Sequence, residues 1–172
     1  MLQNYNTWTF TTKEQDKFNT WLERINSIHT GNLDLRNSEI YLTTPSKPLS
    51  ESTVGLFTTA GVHLNSDESF DVASPHGDWT FRKIPMDVDI SDLEITHTHY
   101  NHVEADKDIN CIFPVDRLRE LLADGLVGGI SPHAYSIMGF NPDPTNLVNQ
   151  TIPELTEQYK SDGVDILFMT CG

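Results

Sequence analysis

"TIPELTEQYKSDGVDILFMT" (residues 151–170) is the stretch on which the fold turns. Thr151 and Glu154 have capping-box spacing, which predicts a helix that starts there and stops at Gly163. "VDILFMT" follows and is apolar at nearly every position, so it predicts a strand in the centre of a sheet. A helix feeding such a strand is half of a parallel β-α-β unit, and the preceding sequence supplies the other half. "PVDRLRELLADG" (114–125) opens on proline, carries Leu118, Leu121 and Leu122, and stops at Gly125, which predicts a short helix. Between the helices, "LVGGISPHAYSIMG" (126–139) reads as an apolar strand and loop. Upstream, "TVGLFTTAG" (53–61) is a β-rich run closed by glycine. "DWTFRKIP" (78–85) alternates Trp79 and Phe81 with Thr80 and Arg82, and "LEITHTHYN" (93–101) is a third strand candidate. This order predicts an α/β fold, a three-layer sandwich with a largely parallel sheet. In such sheets chemistry gathers at the carboxyl ends of the strands, where "TTAGVH", "HTHYNH" and "TCG" all fall.

The 172 residues suit one domain, with an N-terminal helix and linker over 1–50 and the sheet-bearing portion over 51–172. "TTKEQDKFNTWLERINSIHTG" (11–31) predicts a helix packed against the sheet. Thr12 and Gln15 have capping-box spacing, and Phe18, Trp21, Leu22, Ile25 and Ile28 form one apolar stripe. "TTPSKPLSES" (43–52) is the linker.

Composition narrows the function classes. With 37% hydrophobic residues the chain is globular, and a net charge of −14 repels nucleic acid and anionic membranes. "MLQNYNTWTF" lacks the basic start and apolar run of a signal peptide, and no run nears the roughly 20 apolar residues of a membrane span. A cytoplasmic protein is expected. Cys111 and Cys171 alone make no disulfide framework. Cys111 lies in the apolar "INCIFP" and is expected to be buried.

Four groups of residues can carry chemistry. On a strand His97 and His99 share a face and His102 lies just beyond, so the three can reach one ion. The string resembles the H-x-H-x-D-H of the metallo-β-lactamase fold, but Asn101 stands at the aspartate and "VEADKD" replaces the glycines that follow. A metal-dependent hydrolase therefore competes with two other readings. In one the imidazoles hold local structure; in the other they serve a substrate as acids, bases or donors. "TTAGVHLNSDESFD" (58–71) can present backbone N–H groups to an anion, with His63 close by, or can be a plain turn. It has neither the G-x-G-x-x-G pattern nor a P-loop lysine, so nucleotide binding is unsupported. Arg82, Arg117 and Arg119 can fork a carboxylate or serve as ordinary ion pairs. Cys171, at the end of a strand, is either a nucleophile or an inert thiol.

"GLFTTAGVHL", "SFD", "GDWTFRKIP", "ITHTHYNHVEADKDINCIFPVDRLRELLADG" and "DGVDILFMTC" together resemble the B component (selenoprotein B) of the glycine/sarcosine/betaine reductases and its D-proline reductase relatives. The resemblance covers residues 54 to 171 and rests on several separated motifs in one order. It implies reductive cleavage of a C–N bond in a small amine or amino acid. It also implies a redox cysteine or selenocysteine just after the last strand, where Cys171 stands or adjoins. His63, His97, His99 and His102 would line the substrate site, with Arg82 or Arg117 as carboxylate anchor. No bound cofactor and no metal are implied for this chain. A selenocysteine at or after the C-terminus, a partner subunit bearing a pyruvoyl group, and a thiol or selenol carrier protein are. The family pattern continues past Gly172 with a second redox residue. A fragment, a chain terminated at a UGA codon and a shortened homologue are the three readings of that ending. A non-catalytic binding or assembly subunit of the same fold is the alternative function.

Overall fold

The computed structural model describes residues 44–172 and, before them, residues 11–13, 16, 17, 19, 20 and 23. The chain divides into two compact units, Met1–Thr43 and Thr44–Gly172. In the first unit positions 12, 13, 16, 17, 19, 20 and 23 have helical backbone, and the Thr20 hydroxyl donates to the Asp16 carbonyl at 2.9 Å. Gln15, the apolar stripe from Phe18 to Ile28 and the packing of this helix lie outside the described residues.

The second unit is mixed α/β around a mostly parallel sheet. Strand β1 (Thr53–Thr58) lies at its centre. On one side it pairs in parallel with β5 (Gly129–Ile130) and β6 (His133–Ile137), and on the other with β7 (Ile166–Thr170). Thr53 faces Gly129 while Phe57 faces Tyr135, so two extra residues lie between the two pairings, where Ser131 and Pro132 separate the strands. Proline has no N–H to give a ladder, which fits a break at that point. β3 (Phe81–Pro85) closes the far side of β6 in antiparallel register.

Two expectations about strands are corrected. β7 is an edge strand among the described residues: it pairs with β1 alone, and Leu167, Phe168 and Met169 are 41, 45 and 62% exposed. Its apolar run fits a strand with buried faces, and hydropathy alone does not show which neighbours cover it. The strand in "LEITHTHYN" is shorter and lies outside the main sheet. It is β4 (Leu93–Ile95), paired antiparallel with β2 (Val62–Leu64) in a separate two-stranded ribbon. The histidines therefore lie in the loop after β4.

Alternate residues of β1 and β6 point to opposite faces and build two cores. Val54, Leu56 and Ala134 pack with Val62, Ile84, Phe113 and with Val115 and Leu118 of helix α1 (Val115–Ala123). Phe57, Tyr135 and Ile137 pack with Leu155 and Tyr159 of helix α2 (Ile152–Ser161). The two helices thus cover opposite faces. Gly125 and Gly163 follow them with positive φ, as the stop signals predicted. Thr151 is no cap, however. A π-helical turn, Leu147–Thr151, already runs into α2, and the Thr151 hydroxyl donates instead to the Trp79 carbonyl.

Candidate functional site

β1 ends in a tight loop whose shape depends on Gly61. This residue has φ +73°, and a Cβ there would run into the Thr96 carbonyl. Its N–H donates to the Ile137 carbonyl at 3.0 Å, and its own carbonyl accepts from the Thr96 N–H at 2.9 Å. Gly61 so joins the ends of β1, β4 and β6. The end of β7 comes to the same place. The Thr59 N–H donates to the Thr170 carbonyl at 3.1 Å, and the Thr58 and Thr170 hydroxyls both donate to the Ile112 carbonyl, at 3.1 and 2.6 Å.

Beyond β7, Gly172 rests on Tyr100: a methyl in place of its hydrogen would lie 2.6 Å from Tyr100 Cε1 and 3.0 Å from Ala60 Cα. Tyr100 donates its hydroxyl to the Ala60 carbonyl at 3.0 Å. Burial, and then the negative charge of Asp106, push its phenol up to about 12, so it stays a neutral donor. Its ring stands edge-on to both His97, at 4.8 Å between centroids, and His102, at 5.6 Å. The chain end that carries Cys171, the β1 loop and the histidine loop therefore meet at the carboxyl edge of the sheet.

The three imidazoles of this loop have different partners. His97 is buried and accepts the His99 N–H on Nδ1 at 3.0 Å, so its neutral ring carries the proton on Nε2. Burial, reinforced by repulsion from His99 and His102, holds its pKa below the usual histidine value. His99 stacks on Phe140, with centroids 3.5 Å apart and rings 7° from parallel, and its Nδ1 lies 3.2 Å from the Thr98 hydroxyl. His102 Nδ1 lies 2.8 Å from Asp106 Oδ1. Asn101 accepts the Val103 N–H in a local turn. Among the described residues no group of three His, Cys, Asp or Glu side chains is arranged to hold a metal ion.

The other residues singled out in the sequence have surroundings of their own. His63 is 1% exposed, with Nδ1 bonded to the Leu64 carbonyl, Nε2 bonded to Thr96 Oγ1 and its ring edge-on to Phe70. Arg82 lies over the Phe70 ring and donates to the carbonyls of Glu68, Ser69 and Phe81 and to the Thr80 hydroxyl. Beside it, burial works to raise the Asp78 carboxyl. Hydrogen bonds from Thr80 and from the Asp71 and Thr80 backbone, helped by Arg82, outweigh that and hold it below its usual value. Arg117 is an exposed ion pair with Glu120 on α1. Arg119 clamps the Met86 and Val88 carbonyls and Asp116. Cys111 is exposed, contrary to expectation: in "INCIFP" the buried positions are Ile109 and Phe113. Cys171 is exposed as well. Three residues escaped the sequence reading. Asp106 stands at i+4 from His102 and could have been found by that spacing. Tyr100 sits inside the histidine string. Phe140 arrives from β6 with no local signal.

The fold and this site define an α/β protein with a histidine-rich loop and a cysteine-bearing chain end at one sheet edge. The glycine/sarcosine/betaine reductase selenoprotein B family model matches residues 20–172, and the chain belongs to that family. It is 37% identical over 143 residues to D-proline reductase subunit gamma of Acetoanaerobium sticklandii, covering 78% of this chain and 58% of that protein. It is 28% identical over 127 residues to glycine reductase complex component B subunit gamma of Carboxydothermus hydrogenoformans, covering 72% of this chain and 29% of that one. It is 26% identical over 144 residues to betaine reductase complex component B subunit beta of Peptoclostridium acidaminophilum, covering 78% of this chain and 31% of that one. The chain thus spans between about a third and three fifths of these relatives. No solved structure matches it.

Proposed function

We propose that this chain is a thiol- or selenol-dependent component of a reductase complex, acting in reductive C–N cleavage of a small amine or amino acid. The observation that carries the reading is the seating of Gly172, the residue after Cys171, on the Tyr100 ring that stands edge-on to both His97 and His102. In this reading Cys171 is the redox residue or its neighbour, and His97, His99 and His102 line the substrate site. His63 contributes only by holding Thr96, and Arg82 and Arg117 act away from the reacting atoms. The names of the relatives, subunits of reductases and reductase complexes, support partnership with other reductase subunits; a pyruvoyl-bearing subunit and a thiol or selenol carrier are part of the proposal. A selenocysteine at or after the C-terminus belongs to the same reading. Residues 1–172 form one α/β domain in it, with 1–50 as helix and linker, and work in the cytoplasm. Among the described residues no helix is long and apolar enough to cross a membrane.

Limiting iodoacetamide near neutral pH tests the thiol. Both cysteines are exposed, so accessibility alone predicts similar labelling. An activated Cys171 is labelled several-fold faster than Cys111, and Cys171→Ser abolishes turnover by the assembled complex. Equal labelling together with unchanged turnover in Cys171→Ser would favour a non-catalytic assembly subunit. One observation speaks for that second reading. β7 leaves Leu167, Phe168 and Met169 exposed, beside an apolar groove of about 160 Å³ that Phe57, Leu155 and Tyr159 also line.

A further inference from the structure

We propose that β7 is a docking surface for one further β-strand, apolar and uncharged, from the part of the family sequence that these 172 residues do not match. Such docking requires family membership alone and goes beyond the chemistry of Cys171.

The outer strands β3 and β7 are finished differently. β3 carries Arg82, an exposed Lys83 and Pro85, residues that keep a free edge from recruiting another strand. β7 reads Ile-Leu-Phe-Met-Thr and has no charge, proline or glycine. Its ladder is also half used. The Thr59 N–H donates to the Thr170 carbonyl, and alternate residues of a strand turn to the same neighbour, so Ile166, Phe168 and Thr170 serve β1. The N–H and carbonyl groups of Leu167 and Met169 point instead to an edge that no strand occupies among the described residues.

Both faces are open there as well. On the α2 side, Leu167 and Met169 wall the groove with Phe57, Ile152 and Tyr159. On the α1 side, Ile166 packs against the buried core while Phe168, on the same face, stays 45% exposed. A helix laid on one face would leave the edge and the other face wet. A strand bonded to Leu167 and Met169, with apolar side chains on both faces, extends both cores at once.

Length and charge select the occupant. The family model matches through residue 172, yet the chain covers 58% of D-proline reductase subunit gamma and 29 and 31% of the glycine and betaine relatives. Family members therefore carry sequence with no counterpart here, and β7 is where this sheet can take another strand. A second copy fits poorly, since each copy brings a charge of −14. Large side chains bury about 150–250 Å² when wholly covered, so three that are 41, 45 and 62% exposed offer roughly 300 Å² per copy, against the about 800 Å² of a stable interface.

Light scattering and amide hydrogen exchange test this. The full chain alone is a monomer. Mixed with the unmatched part of the Acetoanaerobium sticklandii D-proline reductase subunit gamma, it forms a one-to-one complex. In that complex the Leu167 and Met169 amides exchange about tenfold more slowly, while those of β3 keep their rates. Met169→Lys, at a side chain mostly in water, abolishes the complex and leaves the chain folded. If it disturbs folding, Ile152→Lys on the groove wall is read instead. If the added part is insoluble by itself, it is joined to Gly172 through a flexible Gly/Ser linker and the same amides are followed. No complex, unchanged exchange at Leu167 and Met169, or a complex indifferent to Met169→Lys would overturn the proposal. So would a dimer of the chain alone with these amides already protected, which would make a second copy the occupant.

Discussion

The β2–β4 ribbon and the loop that leaves it both carry histidines, and the two are built to opposite ends. In the ribbon, His63 is fully buried and both its ring nitrogens are hydrogen-bonded. In the loop, His97, His99 and His102 each have one ring nitrogen bonded within the loop, and no bond to the other is present among the described residues. A buried imidazole with two partners is a structural strut, since any proton exchange would break a bond it needs. An imidazole with one nitrogen anchored has a fixed orientation and a free nitrogen for chemistry. Proximity in sequence to a reactive string is therefore a poor guide to role. The number of ring nitrogens left uncommitted is a better one.

The comparison breaks most sharply at Gly61, on which both regions depend. Gly61→Ala places a methyl against the Thr96 carbonyl at a φ of +73°, where an L-residue is strained. Thr96 is also the partner of His63 and the residue before His97, so both regions must shift. The expected loss is about 2–4 kcal/mol in denaturant unfolding, the sum of backbone strain and a clash with backbone rather than with a pliant side chain. A loss under about 1 kcal/mol would show that loop and ribbon are less tightly joined than the hydrogen bonds imply.

His63→Ala separates the two regions. It removes a fully buried ring, its contact with Phe70 and two hydrogen bonds, leaving Thr96 Oγ1 and the Leu64 carbonyl without this partner. A cost of about 2–3 kcal/mol is expected. The folded protein should keep its wild-type Cys171 labelling rate, because His63 touches neither Tyr100 nor the loop imidazoles in its bonded position. A stable His63→Ala variant with a slowed Cys171 would place His63 with the reacting groups after all.

Much of this was legible in the sequence, and the gaps have physical causes. β1, β3, α1 and the α2–β7 passage follow from local signals: apolar runs, a proline start, glycines at positive φ. The meeting of "TTAG", "HTHYNH" and "TCG" followed from a rule about parallel sheets, although β4 proved to lie outside the sheet. The edge position of β7 was not legible, because five apolar residues look alike whether a neighbour covers them or not. Thr151 misled because a hydroxyl three residues before a glutamate matches a cap, yet a longer-range partner, the Trp79 carbonyl, claimed it. Cys111 misled because the turn Ile109–Cys111 buries Ile109 and turns the cysteine outward. The different bonding of His63 and His97 could not be read, since each partner comes from tertiary contact or loop geometry.

The smallest expected effect is a pH dependence confined to the loop. Burial first, and then the proximity of His99 and His102, hold the His97 pKa below its ordinary 6.5. The unfolded chain, with His97 near that ordinary value, therefore binds the proton more readily than the folded one. Stability from this group is complete above about pH 6.5 and is lost as pH falls through that value toward the folded pKa. The carboxylates of Asp78, Asp89, Asp108, Asp143 and Asp165, all held below an ordinary value of 3.8, contribute in the same direction but at lower pH, so the two windows separate. Urea unfolding at about pH 7.5 and about pH 5.5 should show wild type losing stability on acidification, and His97→Gln losing less of it. Glutamine can still accept the His99 N–H, which separates the titration from the loss of the loop's geometry. Equal losses in both proteins would mean that the folded site charges His97 as easily as water does.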